Sequence, residues 1–246
     1  MALAPEQVAH NGWHAVPVDP SKIFKDKPYI HEPSALGADE IPFPHHVPVV
    51  AEIQRYAREK LPRQTFHHSM RVYYYAMAII KQQFPEHAAE LSTTTLALTC
   101  LLHDIGTAEE NITASRMSFE FYGGIKAREV LLANKTPVDQ ADAVCETIIR
   151  HQDLGVDGTI TFLGQVIQLA TIFDNVGEHP TVKDFGQIIH KSTREEVIGK
   201  FPREGWLGCF ADTVRREVGL KPWCHTTHIP DFDKKIEGNK LMLPYE

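Results

Sequence analysis

The stretch that most constrains the fold is residues 93–110, TTTLALTCLLHDIGTAEE. Ten apolar or small residues lead straight into His103 and Asp104, and Gly106 follows. A helix that is apolar on every side lies inside a core. Its end therefore delivers an imidazole and a carboxylate to a place that water does not reach. An unpaired carboxylate there costs several kcal/mol, so another part of the chain has to compensate it.

Three further segments push an ionisable group onto an apolar helical face. His68 shares a face with Val72, Tyr75 and Ile79, at offsets of 4, 7 and 11. Asp174 shares one with Ala170, Ile167 and Leu163, at the same offsets read backwards. His151 follows Val144 and Ile148 on a fourth helix. Alone, such a histidine is ordinarily bonded to a carbonyl and such an aspartate is ordinarily a cap. Together, two buried carboxylates repel each other, and a divalent cation relieves both. Two imidazoles and two carboxylates suit Zn²⁺, Fe²⁺ or Mn²⁺. Adjacent His103 and Asp104 can reach one ion only from a frayed or kinked helix end, which Gly106 in the C-cap position permits.

Eight of the 16 prolines lie in the first 48 residues, so 1–48 reads as an irregular arm. Helical patterning follows. One helix stops at Pro62, and others are expected at about 65–84 and 92–105. Another is expected at 119–134, weakened by Gly123-Gly124, and a fifth has Pro137 at its first position. The next runs over about 161–176. The pattern Ser192-x-x-Glu195 predicts a capping box, and a last helix spans 203–218. Residues 221–246 read as a second irregular arm. No segment shows sustained two-residue alternation. The expected class is all-α, a single helical bundle over 49–220, with the C-terminal tail packed against it.

Composition narrows the function. The formal net charge is −7 and the basic residues form no long run, which argues against nucleic acid or an anionic membrane surface as a partner. The N-terminal stretch shows no basic-then-apolar leader pattern. The four cysteines are widely spaced, as in a reducing, cytoplasmic setting.

The set His68 in "HHSMRV", His103-Asp104 in "LLHDIG" and Asp174 in "ATIFDNVG" resembles the HD-domain superfamily of metal-dependent hydrolases. The resemblance implies that these four residues hold the metal. His67 is the rival to His68, which is the one on the apolar face. Many HD phosphohydrolases carry a lysine shortly after HD. Here Thr107, Ala108, Glu109 and Glu110 follow, and two acidic residues would repel a phosphate. Arg71, Arg116 and Arg150 remain as alternatives for binding one.

A closer resemblance covers nearly the whole chain. "NGWHAVPV", "LTCLLHDIGTAEE", "RMSFEFYGGIKA", "IIRHQDLGVDG", "ITFLGQVIQLATIFDNVG" and "KPWCHTTHIPDFDK" are together similar to the fungal cyanamide hydratases. That likeness implies a hydro-lyase with one Zn²⁺ per subunit, Fe²⁺ or Mn²⁺ being the alternatives. It implies addition of water to the nitrile of cyanamide, a small neutral substrate, to give urea through a metal-bound hydroxide. Asp104 and His151 are the expected catalytic groups, His151 as proton donor. Glu120, Asn175 and Thr107 are expected to hydrogen-bond substrate, with a structural carboxylate as the other reading of Glu120. A homo-oligomer is expected. The competing functions are a phosphohydrolase of nucleotide monophosphates and a non-catalytic scaffold. Cys224, His225 and His228 offer either a second zinc site or an ordered tail.

Overall fold

Prolines punctuate the helices because a ring without an N–H is tolerated only where that N–H has no intrahelical partner. The computed structural model describes residues 5–246. Residues 1–4, part of the expected arm and of the stretch read for a leader, lie outside the described residues. The N-terminal arm is less irregular than expected. It carries helix α1 (Pro5–His10), strand β1 (Ala15–Pro17) and helix α2 (Ser21–Phe24). Helix α3 (Pro48–Lys60) opens on its proline and ends before Pro62, which caps α4 (Arg63–Gln83). Then come α5 (Pro85–Ala88), α6 (Thr93–Leu102), α7 (Glu109–Ile112), α8 (Phe119–Ala133) and α9 (Val138–Arg150). Strand β2 (Thr159–Thr161) runs into α10 (Phe162–Asn175). The chain ends with α11 (Lys191–Lys200), α12 (Trp206–Leu220) and α13 (Phe232–Glu237). The fold is all-helical apart from a ribbon in which Ala15, Val16 and Pro17 pair antiparallel with Thr161, Ile160 and Thr159. Three-residue strands are too short to show alternation, so the sequence pattern misses them.

Helix α4 is the axis. It is buried from Thr65 to Ile80 on nearly every side except His67, and packs against α6 and α10. Helix α6 begins where Ser92 Oγ accepts the Thr95 N–H at 3.2 Å. It ends at Leu102, earlier than expected, with His103 as its cap and Asp104 at φ −99°, ψ 10°. Gly106 is therefore no C-cap glycine. A Cβ there would lie 2.0 Å from the Phe119 carbonyl oxygen, and Gly123 stands 3.2 Å away. The glycines let the turn after Asp104 press against the start of α8, so Gly123 is a contact and not a weakness. Pro137 precedes the first residue of α9 as its cap. His190, not Ser192, caps α11, its ring accepting the Ser192 N–H at 3.2 Å. The C-terminal tail also departs from irregularity. Ile229, together with Phe232 and Ile236 of α13, packs onto Trp206, Phe210 and Val214 of α12, forming a second apolar cluster.

Candidate active site

Three helices bring His68 (α4), His103-Asp104 (end of α6) and Asp174 (α10) together, each at most 1% exposed. His103 Nδ1 meets the Cys100 carbonyl at 2.8 Å. A carbonyl only accepts, so Nδ1 carries the proton and Nε2 presents a lone pair. His68 Nδ1 meets Asp174 Oδ2 at 2.6 Å, which fixes that ring in the same tautomer. The two Nε2 atoms then face each other across 3.1 Å. Asp104 Oδ2 closes the group, 3.2 Å from His103 Nε2 and 3.7 Å from His68 Nε2. It lacks the alignment for a hydrogen bond and has no hydrogen-bond partner. Two lone pairs and a bare carboxylate oxygen converge in a dry pocket as a candidate donor set for a metal ion. A borderline divalent ion fits it.

The charges respond accordingly. Burial pushes His68 down to about 4, against the pull of Asp174. Burial also works against a charged His103, but the adjacent Asp104 carboxylate outweighs it and raises that imidazole. Asp104 is held below the usual carboxylate range in spite of burial, by His103 before the other imidazoles.

Asp174 stands beside this trio but not in it. Its carboxylate accepts Arg71 Nη2 at 2.9 Å, Arg71 Nε at 3.1 Å, Arg203 Nη1, and His68 Nδ1. Arg203 Nη2 and Asn239 Nδ2 reach its backbone carbonyl at 3.1 and 3.2 Å. Both arginines are fully buried. Asp174 orients a histidine through the nitrogen that faces away from the trio, the carboxylate–histidine pattern of metal sites.

The walls come mostly from outside the sequence motifs. Trp206 stacks on His68 at 4.3 Å between ring centroids, and Phe210 stacks on Trp206. His151 lies edge-on to His103 at 5.4 Å, its Nδ1 bonded to the Ile148 carbonyl at 2.7 Å. The carbonyl only accepts, so Nδ1 carries the proton and Nε2 the lone pair; burial, with His103 next, lowers the pKa and disfavours the charged ring. Of the expected substrate binders, Thr107 Oγ1 donates to the Asp104 carbonyl at 2.7 Å. Asn175 Oδ1 accepts the Trp206 indole N–H at 2.8 Å and so holds that wall. Glu120 is fully buried. Its Oε1 meets His225 Nδ1 at 2.8 Å, and its Oε2 has no partner. His67 turns outward to the Pro202 carbonyl.

Comparison with known proteins follows this geometry. The HD domain family matches residues 65–176. Cyanamide hydratases DDI2 and DDI3 of Saccharomyces cerevisiae are each 46% identical to the chain over 189 residues, 76% of this chain and 80% of theirs. The chain belongs to the cyanamide hydratase family. It is an enzyme of that kind, with the metal-dependent HD domain at its centre. A solved structure described as a predicted HD superfamily hydrolase, from an uncultured Thermotogales bacterium, aligns at TM-score 0.39 and 18% identity. The alignment covers 73% of this chain and 95% of that one.

In this hydratase-family chain Glu109 and Glu110 do not guard the site against phosphate. Both are on the surface, paired with Arg216 and Lys60. Arg150 pairs with Asp153 and Glu146. No helix among the described residues is long and apolar enough to cross a membrane. Cys224, His225 and His228 do not gather as a ligand cluster. His225 pairs with Glu120, and His228 stacks on His225 at 4.1 Å. Arg203, Trp206 and Phe210 were not singled out by sequence. Arg71 was, and its place three residues after His68 inside an apolar face was the available signal.

Proposed function

We propose that His68 Nε2, His103 Nε2 and Asp104 hold one divalent ion, zinc first among the candidates, and that the chain hydrates cyanamide to urea. Asp104 Oδ2, bare between two unprotonated imidazole nitrogens, carries this reading. Bound there, such an ion supplies a Lewis acid and lowers the pKa of a coordinated water towards neutrality.

The chain's own groups do the rest. Asp174 and its two arginines keep His68 in the tautomer that aims Nε2 inward. Trp206 and Phe210 exclude bulk water, which strengthens every charge interaction in the site. His151, neutral with Nε2 free to accept, takes a proton from the attacking water and returns it to the developing imide nitrogen. The proton donor expected from sequence thus acts first as an acceptor. Glu120, whose Oε2 has no protein partner, accepts the substrate amine in this reading. Asn175 and Thr107 act through Trp206 and the Asp104 backbone. A site walled this closely admits a substrate of a few heavy atoms. Arg71 and Arg203, the buried cations beside it, are already bound to Asp174, and nothing here favours phosphate.

The test is a urea-release assay on cyanamide with zinc-loaded protein, run beside phosphate release from nucleotide monophosphates. Urea without phosphate is the expected result. Phosphate release without urea rejects the hydratase reading.

A further inference from the structure

A second group of metal-ligating side chains lies away from the trio. His14, His87 and Glu90 each bring one ligand atom to within 4.8 Å of the other two. His14 lies in the arm just before β1, His87 in α5, and Glu90 in the turn between α5 and α6. Their backbones are already fixed. The His14 carbonyl accepts the Phe162 N–H at 2.7 Å, and the His87 carbonyl accepts Glu90 N–H at 3.2 Å and Leu91 N–H at 3.0 Å. The His87 ring packs on Phe162 at 4.1 Å and lies 5.3 Å from the His14 ring. His14 Nε2 is buried without a hydrogen-bond partner. Glu90 is exposed, so its carboxylate can swing, and the two rings are partly covered.

We propose that His14, His87 and Glu90 form a second metal site, which takes a borderline divalent cation such as Zn²⁺ and pins the N-terminal arm to the turn between α5 and α6. Two imidazoles and one carboxylate are a donor set for zinc rather than magnesium or calcium, which prefer all-oxygen shells. Ligand atoms on one tetrahedral zinc stand about 3.5 Å apart. The three ligand atoms already lie within 4.8 Å of one another, and the exposed Glu90 side chain is free to adjust towards that spacing. Three protein ligands leave the fourth position to water. None of these residues touches the His68–His103–Asp104 group, so the proposal stands whether or not that group hydrates cyanamide.

The experiment counts metal. Full-length wild type, His87→Ala, Glu90→Gln and Asp104→Asn are equilibrated with Zn²⁺, freed of unbound metal by gel filtration, and assayed for zinc per chain. The expected result is one ion fewer in His87→Ala and in Glu90→Gln than in wild type. An ion retained in Asp104→Asn is expected to disappear in Asp104→Asn/His87→Ala. Glu90 is exposed, so Glu90→Gln cannot owe its loss to misfolding. Adding Zn²⁺ to Asp104→Asn should also raise its melting temperature and leave the double variant unmoved. Equal zinc in wild type, His87→Ala and Glu90→Gln overturns the proposal.

Discussion

Asp174 and Asp104 are both fully buried aspartates beside His68, and they are compensated in opposite ways. Asp174 receives two buried arginines, a histidine N–H and two donors to its own carbonyl. Its environment is complete without any ion. Asp104 receives only imidazole edges, and one of its oxygens has no partner. On the reading proposed above, its environment is completed by a cation. A motif that names both residues alike conceals that one is bound by two arginines and the other has an oxygen with no partner.

The comparison is broken or sharpened first by the pair Asp104→Asn and Asp174→Asn. Asp104→Asn should lose the ion and all cyanamide turnover while the metal-free chain unfolds in urea at a nearly unchanged midpoint. Asp174→Asn leaves Arg71 buried without its counter-charge and leaves Arg203 with Glu246 alone. It should cost the metal-free chain about 3–5 kcal/mol in the same unfolding experiment. Equal stability losses in the two variants would erase the distinction.

His151→Ala comes next. Removing a group that moves a proton but holds no ion should keep zinc content and lower kcat by about 10²–10⁴. Loss of zinc in this variant would make His151 a ligand.

Glu120 is the intermediate case, with one oxygen on His225 and one bare. The Glu120 carboxylate raises the His225 pKa above its ordinary value. The stabilisation is therefore full below the unfolded value of 6.5 and fades as pH rises through the raised folded value. The smallest expected effect is a modest loosening of the tail at 221–246 on that side of neutrality. An NMR titration of His225 checks it, and a His225 midpoint below 6.5 contradicts it.

What was legible in the sequence follows from how local each signal is. The faces of His68 and Asp174 repeat with helical period, so their burial could be read. The dry end of α6 could be read from its ten apolar or small residues. The split between Asp104 and Asp174 could not, because it depends on Arg203. That residue follows Pro202 and looks like the exposed start of a helix until the fold brings it to Asp174. Trp206 likewise becomes a wall only when α12 crosses α4. Gly106 was read as a helix terminator because that is its local meaning, whereas its place is set by the approach of α8. The β1–β2 ribbon joins segments far apart in the chain, and neither strand is long enough to announce itself.

The central claim is that Asp104 completes a cation site and Asp174 does not belong to it. A crystal structure of the zinc-loaded protein, with anomalous scattering recorded at the zinc edge, tests it most directly. The account predicts a peak about 2.0–2.2 Å from His68 Nε2, His103 Nε2 and an Asp104 oxygen, with Asp174 still on Arg71 and Arg203. A zinc ion bonded to Asp174, with those arginines displaced from it, would contradict the account.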